Sequence, residues 1–439
     1  MAERTLVATI DERRVGTLHA ERDLWSFRYD PAWLEDPVCF ALSPALPLQS
    51  GAIEDGGSSR PVQWYFDNLL PEEGQRALLA RAAGLPDEAD AFALLVHYGA
   101  ESAGSLTLLP PDAPQAGTGL RELTDAELES RIEHLPAVPL GQHAPKRMSL
   151  AGAQQKLAVV YRDGRFFEPE GRTASTHILK PDHPDPVYAH SVANEWFTMS
   201  LATMLGLPVP SVTRRHVPSP VFVVERFDRR PGPASEWERL HAIDACQLLN
   251  ISRTFKYSEG SVSRLAELAR LCRVPAVARN RLYAWLVFNV LVGNTDAHLK
   301  NLSFLVTPQG IELAPFYDLV GVAVYGTQAF ERTEWTDATF FSWPIQGEKT
   351  YAGLTRALLL EAGRELGLNM ATARRRLDRQ LQLMPEYAGR LLDQAEQENE
   401  ALLRELPAAG RHCAGDMRCL RALRYTVIQD TVKRVSLPR

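Results

Sequence analysis

Lysine, cysteine and long apolar runs are all scarce in this chain, and each shortage excludes something. The five cysteines, Cys39, Cys246, Cys272, Cys413 and Cys419, are scattered and odd in number. No pair stands at zinc-ligand spacing with a matching second pair, and Cys413 and Cys419 have only His412 nearby. Buried or free thiols in a reducing cytosol are the simplest reading. The most apolar run, Leu282 to Gly293, contains Asn289 and falls far short of the ~20 residues a membrane helix needs. The N-terminus begins Met-Ala-Glu-Arg without an apolar signal core. A cytoplasmic protein with no membrane partner is expected. The formal net charge of −6 excludes a surface that attracts nucleic acid as a whole, so any DNA contact needs a local basic patch. Seven lysines stand against 41 arginines, so a lysine inside a motif is less often there by accident.

What is present is ordinary globular material. Over 439 residues, 45% are apolar and 23% charged, enough for a core and for two or three domains. Residues 4–30 alternate apolar and polar, which predicts a small antiparallel sheet. Residues 61–98 turn helical, and a strand-like Ser105 to Leu109 follows. Prolines and glycines between 110 and 119 mark a linker, and Thr124 opens a short helix to His134. From residue 145 strands are expected at 157–161, 166–167, 176–180, 212–215 and 221–226, with a helix at 187–205. The rest reads as mainly helical, at 241–250, 261–272, 276–293 and almost continuously at 351–405, interrupted by short strands at 302–306 and 311–313. The expected organisation is an N-terminal subdomain (1–110), a linker with a short helix (111–144), a sheet-rich lobe (145–228) and a helical lobe (229–439).

The segment Gly293-Asn294-Thr295-Asp296-Ala297-His298-Leu299-Lys300-Asn301 is the most informative. Asp296 and Asn301 lie five residues apart with basic residues between them. Phosphoryl transfer needs a carboxylate to orient and deprotonate a hydroxyl, and an amide oxygen to hold magnesium. Protein kinases place both on one loop at this offset. The plain alternative is a polar loop between helix and strand. Seventeen residues on, Pro315-Phe316-Tyr317-Asp318 supplies an aspartate suited to a second magnesium contact; alone it would read as a turn. Lys180 ends a strand in Thr-His-Ile-Leu-Lys, with Glu195 on the next helix as a candidate partner. Such a pair fixes a lysine against the α/β-phosphates of ATP.

Two further segments fit around a nucleotide. Ser149 to Lys156 precedes a strand, and its small residues Ala151, Gly152 and Ala153, followed by Gln154 and Gln155, let backbone N–H groups approach phosphate. Val223 to Asp228 ends a strand, and Glu225, Arg226 and Phe227 suit the segment that holds adenine. A strand end with ordinary surface charges explains the latter equally well.

Together, in this order, Ser149-x-Ala-Gly-Ala-Gln-x-Lys, Thr-His-Ile-x-Lys180, Val-Glu-Arg-Phe-Asp-Arg, Asn-Thr-Asp296-Ala-His-x-Lys-Asn301 and Pro-Phe-Tyr-Asp318 resemble the HipA family of toxin serine/threonine kinases. Asp67-Asn68-Leu69-Leu70-Pro71, Gly104-Ser-Leu-Thr-Leu-Leu-Pro and Ser43-Pro-Ala-Leu-Pro-Leu match as well, so the resemblance runs from about residue 6 to 400. It implies an α+β, two-lobed protein-kinase-like fold: an antiparallel N-lobe sheet, an extra N-terminal subdomain and a helical C-lobe. It implies ATP and Mg²⁺ as cofactors, with residues 151–156 and Lys180 on the phosphates and 225–227 on the adenine. Asp296 would accept the proton. Ala297, His298, Lys300, Asn301, Tyr317 and Asp318 would contact the nucleotide, and Asn301 and Asp318 would hold metal. Ser149 would be an autophosphorylation site. The implied partners are a HipB-like helix-turn-helix antitoxin, operator DNA only within that complex, and a protein substrate, an aminoacyl-tRNA synthetase and most often the glutamyl enzyme, whose modification halts growth. The rivals are a small-molecule phosphotransferase of kinase-like fold and a non-catalytic co-repressor bound to an antitoxin.

Two segments stay open. Arg374, Arg375 and Arg376 suit either DNA phosphates or a solvated helix face with Leu377, Leu381 and Met384 inward. The basic tail from Arg411 suits either a final packed helix or a partner-binding extension.

Overall fold

The apolar alternation at the N-terminus becomes three antiparallel strands, β1 (Arg4–Ile10), β2 (Arg13–Glu21) and β3 (Leu24–Tyr29). These observations come from a computed structural model, which describes residues 4–114, 117–148, 150–232 and 237–437; Ser149 lies outside the described residues. By internal packing the chain forms two compact units. One comprises 1–180, 225–256 and 303–314, the other 181–224, 257–302 and 315–439.

In the first unit, α1 (Pro31–Glu35) follows β3, and β4 (Ile53–Glu54) and β5 (Leu106–Leu109) complete a five-stranded sheet of order β4-β3-β2-β1-β5. The expected helical stretch becomes α2 (Pro61–Asp67), α3 (Glu73–Ala82) and α4 (Ala91–Tyr98). Aromatic edges join helices to sheet: Trp25 meets Phe92 at 5.2 Å and Phe27 meets Phe66 at 5.5 Å between ring centres.

The same unit holds β6 (Thr118–Leu123), α5 (Asp125–Glu133), β7 (Leu157–Arg162), β8 (Arg165–Gly171) and β9 (His177–Pro181). The strands pair antiparallel, β9 to β7, β7 to β8 and β8 to β6. Thr124 caps α5 as expected, accepting from the Glu127 N–H. The proposed linker is shorter than 110–119, because β6 begins at Thr118. Its polar sequence has little strand signal of its own; pairing with β8, from Thr118 opposite Gly171 to Leu123 opposite Phe166, makes it a strand.

A second correction falls at 241–250, expected as one helix. Ala242–Asp244 is a strand that pairs with Ser303–Thr307, which in turn pairs with Gly310–Leu313. Only Ala245–Leu249 is helical. Asp244 and Gln247 form a reciprocal cap, with bonds of 2.8 and 2.9 Å. That cap fixes the helix start and prevents its extension backwards.

In the second unit, α6 (Ser191–Met204) is followed by a hairpin of Val212–His216 and Pro220–Glu225. The helix Pro275–Val292 is the core of this unit, with Leu282, Tyr283, Trp285, Leu286, Val287 and Phe288 all buried. The expected near-continuous helix over 351–405 is two, Arg356–Glu365 and Met370–Glu405. Asn369 starts the second by accepting from the Thr372 N–H at 2.8 Å. A hairpin, Phe340–Ile345 with Glu348–Thr350, was not expected. The basic tail is packed helix: Leu423, Val427, Ile428 and Val435 are buried, and Thr431 donates to the Leu291 carbonyl at 2.7 Å. Arg374, Arg375 and Arg376 are exposed, with Leu377, Leu381 and Met384 turned inward. Among the described residues no helix is long and apolar enough to cross a membrane.

Candidate active site

In the first unit, Lys180 lies on β9 and is buried. The β7–β9 register sets Leu157 opposite Leu179, so one step further sets Lys180 opposite Lys156. Two of the chain's few lysines thus share one end of a ladder. The Lys156 ammonium donates to the Ala151 carbonyl at 2.6 Å, closing the 151–156 loop on itself. Gly152 has φ +108°, and a Cβ there would stand 2.6 Å from the Lys156 nitrogen. The lysine tip could shift, but φ +108° is a backbone conformation that favours glycine. Gly152 also bridges Pro71, and its carbonyl accepts from the Glu72 N–H at 3.3 Å. The Asp67–Pro71 motif therefore stitches the loop to the N-terminal subdomain. Ala153 is exposed. The Gln155 side chain is buried and accepts from the Leu140 N–H at 3.3 Å, so any nucleotide contact from this residue comes from its main chain.

Arg226 likewise departs from a side-chain role at adenine. Its guanidinium is buried, bonded to Asp228 at 2.9 and 2.6 Å, to the Ser102 carbonyl at 3.0 Å and to Ser175 Oγ at 3.1 Å. Its backbone N–H donates to Thr176 O at 2.9 Å. The flanking Glu225 and Phe227 are half-buried. The network centres on Glu101, which is fully buried and binds Lys146 at 2.6 Å and Arg229 at 2.8 Å. Burial opposes ionisation of Glu101, yet Arg229, Lys146, Arg239 and Arg226 outweigh it and hold the carboxyl well below the usual range. Burial lowers the Lys146 ammonium, and Glu101 offsets part of that. Sequence reasoning missed Glu101, Lys146 and Arg229. The one signal was the charge density of Glu-Arg-Phe-Asp-Arg at the end of a strand.

In the second unit, the helix Pro275–Val292 ends at Gly293, φ +70°. A Cβ there would lie 2.7 Å from both Ala323 Cβ and Val427 Cγ1. Asn294 then organises the turn: its amide donates to Asn289 Oδ1 at 2.7 Å, and its own Oδ1 accepts from the Asp296 N–H at 3.1 Å. Ser342 Oγ accepts from the Ala297 N–H at 3.0 Å and donates to the Asn294 carbonyl at 3.1 Å. The Trp343 indole N–H donates to the Ala297 carbonyl. The backbone of Asp296 is thus held while its carboxylate remains exposed. Ser342 and Trp343 were missed because they lie in an unrecognised hairpin far along the chain.

Lys300 and Asn301 are buried, as is His298. The Asn301 amide donates to the Asp296 carbonyl at 3.3 Å, which fixes which end of the amide is nitrogen. The Tyr317 hydroxyl donates to the Lys300 carbonyl at 2.6 Å. That bond joins the two segments whose next residues are Asn301 and Asp318. Asp318 has φ +58°, a left-handed conformation that costs a non-glycine residue roughly 1–2 kcal/mol and that clusters at functional sites. Just beyond it, the Gly321 N–H donates to Asn194 Oδ1 at 2.8 Å. Asn194 is fully buried on α6, and Glu195, also buried, is next to it.

Ser149 aside, the predicted site residues divide between the units: 151–156, Lys180 and 225–227 belong to the first, Glu195, 296–301, Tyr317 and Asp318 to the second. Among the described residues no group of three or more histidine, cysteine or acidic side chains could hold a metal ion. One amide oxygen and one carboxylate suit Mg²⁺, which keeps few protein ligands and fills its octahedron with phosphate oxygens and water.

Comparison with known proteins identifies the family. Residues 6–109 match the model of the HipA N-terminal domain, and 148–388 that of the HipA-like C-terminal domain. The chain is 34% identical over 383 residues to a serine/threonine-protein kinase toxin HipA of Shewanella oneidensis, covering 81% of this chain and 85% of that one. It is 38% identical over 340 residues to a putative kinase of Sinorhizobium fredii, covering 74% and 79%. In structure it is similar to HipA in a Shewanella oneidensis complex of HipA, HipB and operator DNA, with a TM-score of 0.74, 30% identity, and 98% and 99% of the two chains covered. On these grounds, the chain belongs to the HipA family of serine/threonine-protein kinases.

Proposed function

We propose that the chain is the kinase toxin of a toxin–antitoxin pair and that Asp296, Asn301, Asp318 and Lys180 carry its phosphoryl transfer. The observation that carries this reading is the catalytic loop: an exposed carboxylate at Asp296 on a rigidly bonded turn, with Asn301 amide-bonded to it and the strained Asp318 tied in through Tyr317. Lys180 grips the α/β-phosphates, with Glu195 as its acidic partner. The backbone of 151–156 covers the phosphates, and the main chain of 225–227, with the Phe227 ring, holds the adenine. Asn301 and Asp318 hold Mg²⁺, which when bound neutralises charge on the phosphate oxygens. Asp296 orients the acceptor hydroxyl for in-line attack and accepts its proton. Ala297, His298, Lys300 and Tyr317 line the same segment.

The acceptor is a serine of another protein, an aminoacyl-tRNA synthetase and foremost the glutamyl enzyme, so that growth stops and persistence follows. Ser149 is a second acceptor on the chain itself. A phosphate there adds about −1.5 to −2 charge beside a loop closed by the Lys156–Ala151 bond, which opens the cover and silences the kinase. A HipB-like helix-turn-helix antitoxin binds the chain, and operator DNA joins through that complex. The Shewanella complex of HipA, HipB and operator DNA supports this partner set. The setting is cytoplasmic. Quantitative phosphoproteomics on cells making the wild type or Asp296→Asn tests the reading. A synthetase phosphoserine, present only with the wild type and accompanied by growth arrest, is expected. Equal arrest with both proteins and no differential phosphosite would favour the non-catalytic co-repressor.

A further inference from the structure

Tyr257 is absent from every motif above, yet its hydroxyl donates to Asp296 Oδ1 at 2.5 Å. This is a short, charge-assisted bond of the kind a serine hydroxyl makes to a catalytic carboxylate before transfer. Its ring is 46% exposed and meets the His298 ring edge-on, centres 4.9 Å apart. The phenol thus bonds Asp296 at its tip and packs on His298 along one edge, on a half-exposed surface.

We infer that Tyr257 is a specificity-determining residue: its hydroxyl occupies the place on Asp296 Oδ1 that an acceptor hydroxyl takes, and so keeps a water from being activated at that oxygen until a protein serine displaces it. This rests on the assignment of Asp296 as proton acceptor. An exposed carboxylate beside a bound nucleotide would otherwise orient water as readily as serine, and a closed site must prevent that loss. In the productive reaction the acceptor oxygen forms a new P–O bond and the bond between the γ-phosphorus and the bridging oxygen breaks. The hydroxyl proton passes to Asp296, and ADP leaves. In the futile reaction water takes the serine's place and inorganic phosphate is released. A docked serine exchanges one hydroxyl bond to Asp296 for another, so displacing the phenol costs it little. A single water would have to displace the phenol without the docking contacts of a protein.

The test uses the full-length protein with Mg²⁺-ATP, measuring ADP released against phosphate bound to protein, for wild type, Tyr257→Phe and Asp296→Asn. Phenylalanine keeps the ring against His298 and removes only the hydroxyl. Tyr257→Phe should raise phosphate release to water roughly tenfold, the effect of losing one hydrogen bond to a charged group, while protein phosphorylation persists. An unchanged ratio, or both activities falling together, overturns the inference, as does phosphate found on Tyr257 itself. Asp296→Asn separates the two claims. If it retains wild-type turnover, the assignment of Asp296 is lost. If it is inactive while Tyr257→Phe behaves as wild type, only the role of Tyr257 is lost.

Discussion

Lys146, Lys180, Lys256 and Lys300 are all buried, four of the seven lysines in the chain. Lysine is rarely found inside a protein unless it is paired. Scarcity by itself does not point to phosphate. Lys146 binds Glu101 at 2.6 Å, and Lys256 binds Glu72 at 2.7 Å and Glu73 at 3.0 Å. These are structural pairs, and composition alone does not separate them from Lys180. Motif context sets Lys180 apart: it lies on β9, in Thr-His-Ile-Leu-Lys. At the same scale, Gly293 was legible as a helix end, but its second constraint was not, because Ala323 and Val427 are remote in sequence. Gly293→Ala places a methyl 2.7 Å from both and strains φ +70°. The expected loss is about 1–3 kcal/mol of stability, read as a lowered Tm, together with reduced phosphotransfer because the turn carrying Asp296 shifts. A variant with wild-type Tm and activity would show that the turn tolerates the displacement.

Elements with strong local signals were read correctly from sequence. Thr124 caps α5, and a strand ends at Glu225, directly before Arg226 and Phe227. Two of the failures share one cause. β6 and the strand Ala242–Asp244 exist because of pairing partners distant in the chain, which propensity does not record; the hairpin at 340–350 pairs locally and was simply not recognised. The ionic network around Glu101 is likewise long-range: it joins the turn before β5, the loop ahead of β7 and the residues after Glu225. Removing the acid leaves Lys146 and Arg229 buried without their carboxylate, so Glu101→Gln should cost roughly 3–5 kcal/mol. The pH dependence has a definite sign. The folded carboxyl is held below its ordinary value, so its contribution is fully present above the ordinary carboxylate range and is lost as pH falls towards the folded value. The Tm gap between wild type and variant should be widest near neutral pH and narrow in acid. A gap that widens on acidification would reverse the assignment of charge to Glu101.

Across the whole molecule, α+β character, the kinase-like plan and family membership were all legible. Several modest motifs in a fixed order are far more specific than any one of them. The compact units were less so. Each is assembled from three separated stretches of chain, because the strand at 242–244 pairs with 303–307 across a long helical insertion. A contiguous reading of the sequence has no access to that return. Acceptor identity is illegible for a different reason: it depends on surface shape, for which no motif stands.

Transfer chemistry in the purified protein decides whether Asp296 is the proton acceptor. Phosphotransfer from ATP and ATP affinity should be measured side by side for the wild type and Asp296→Asn. Loss of transfer by roughly 10²–10⁴-fold with ATP affinity and Tm essentially retained is the predicted result. Transfer at the wild-type rate by a folded, ATP-binding Asp296→Asn protein would contradict it.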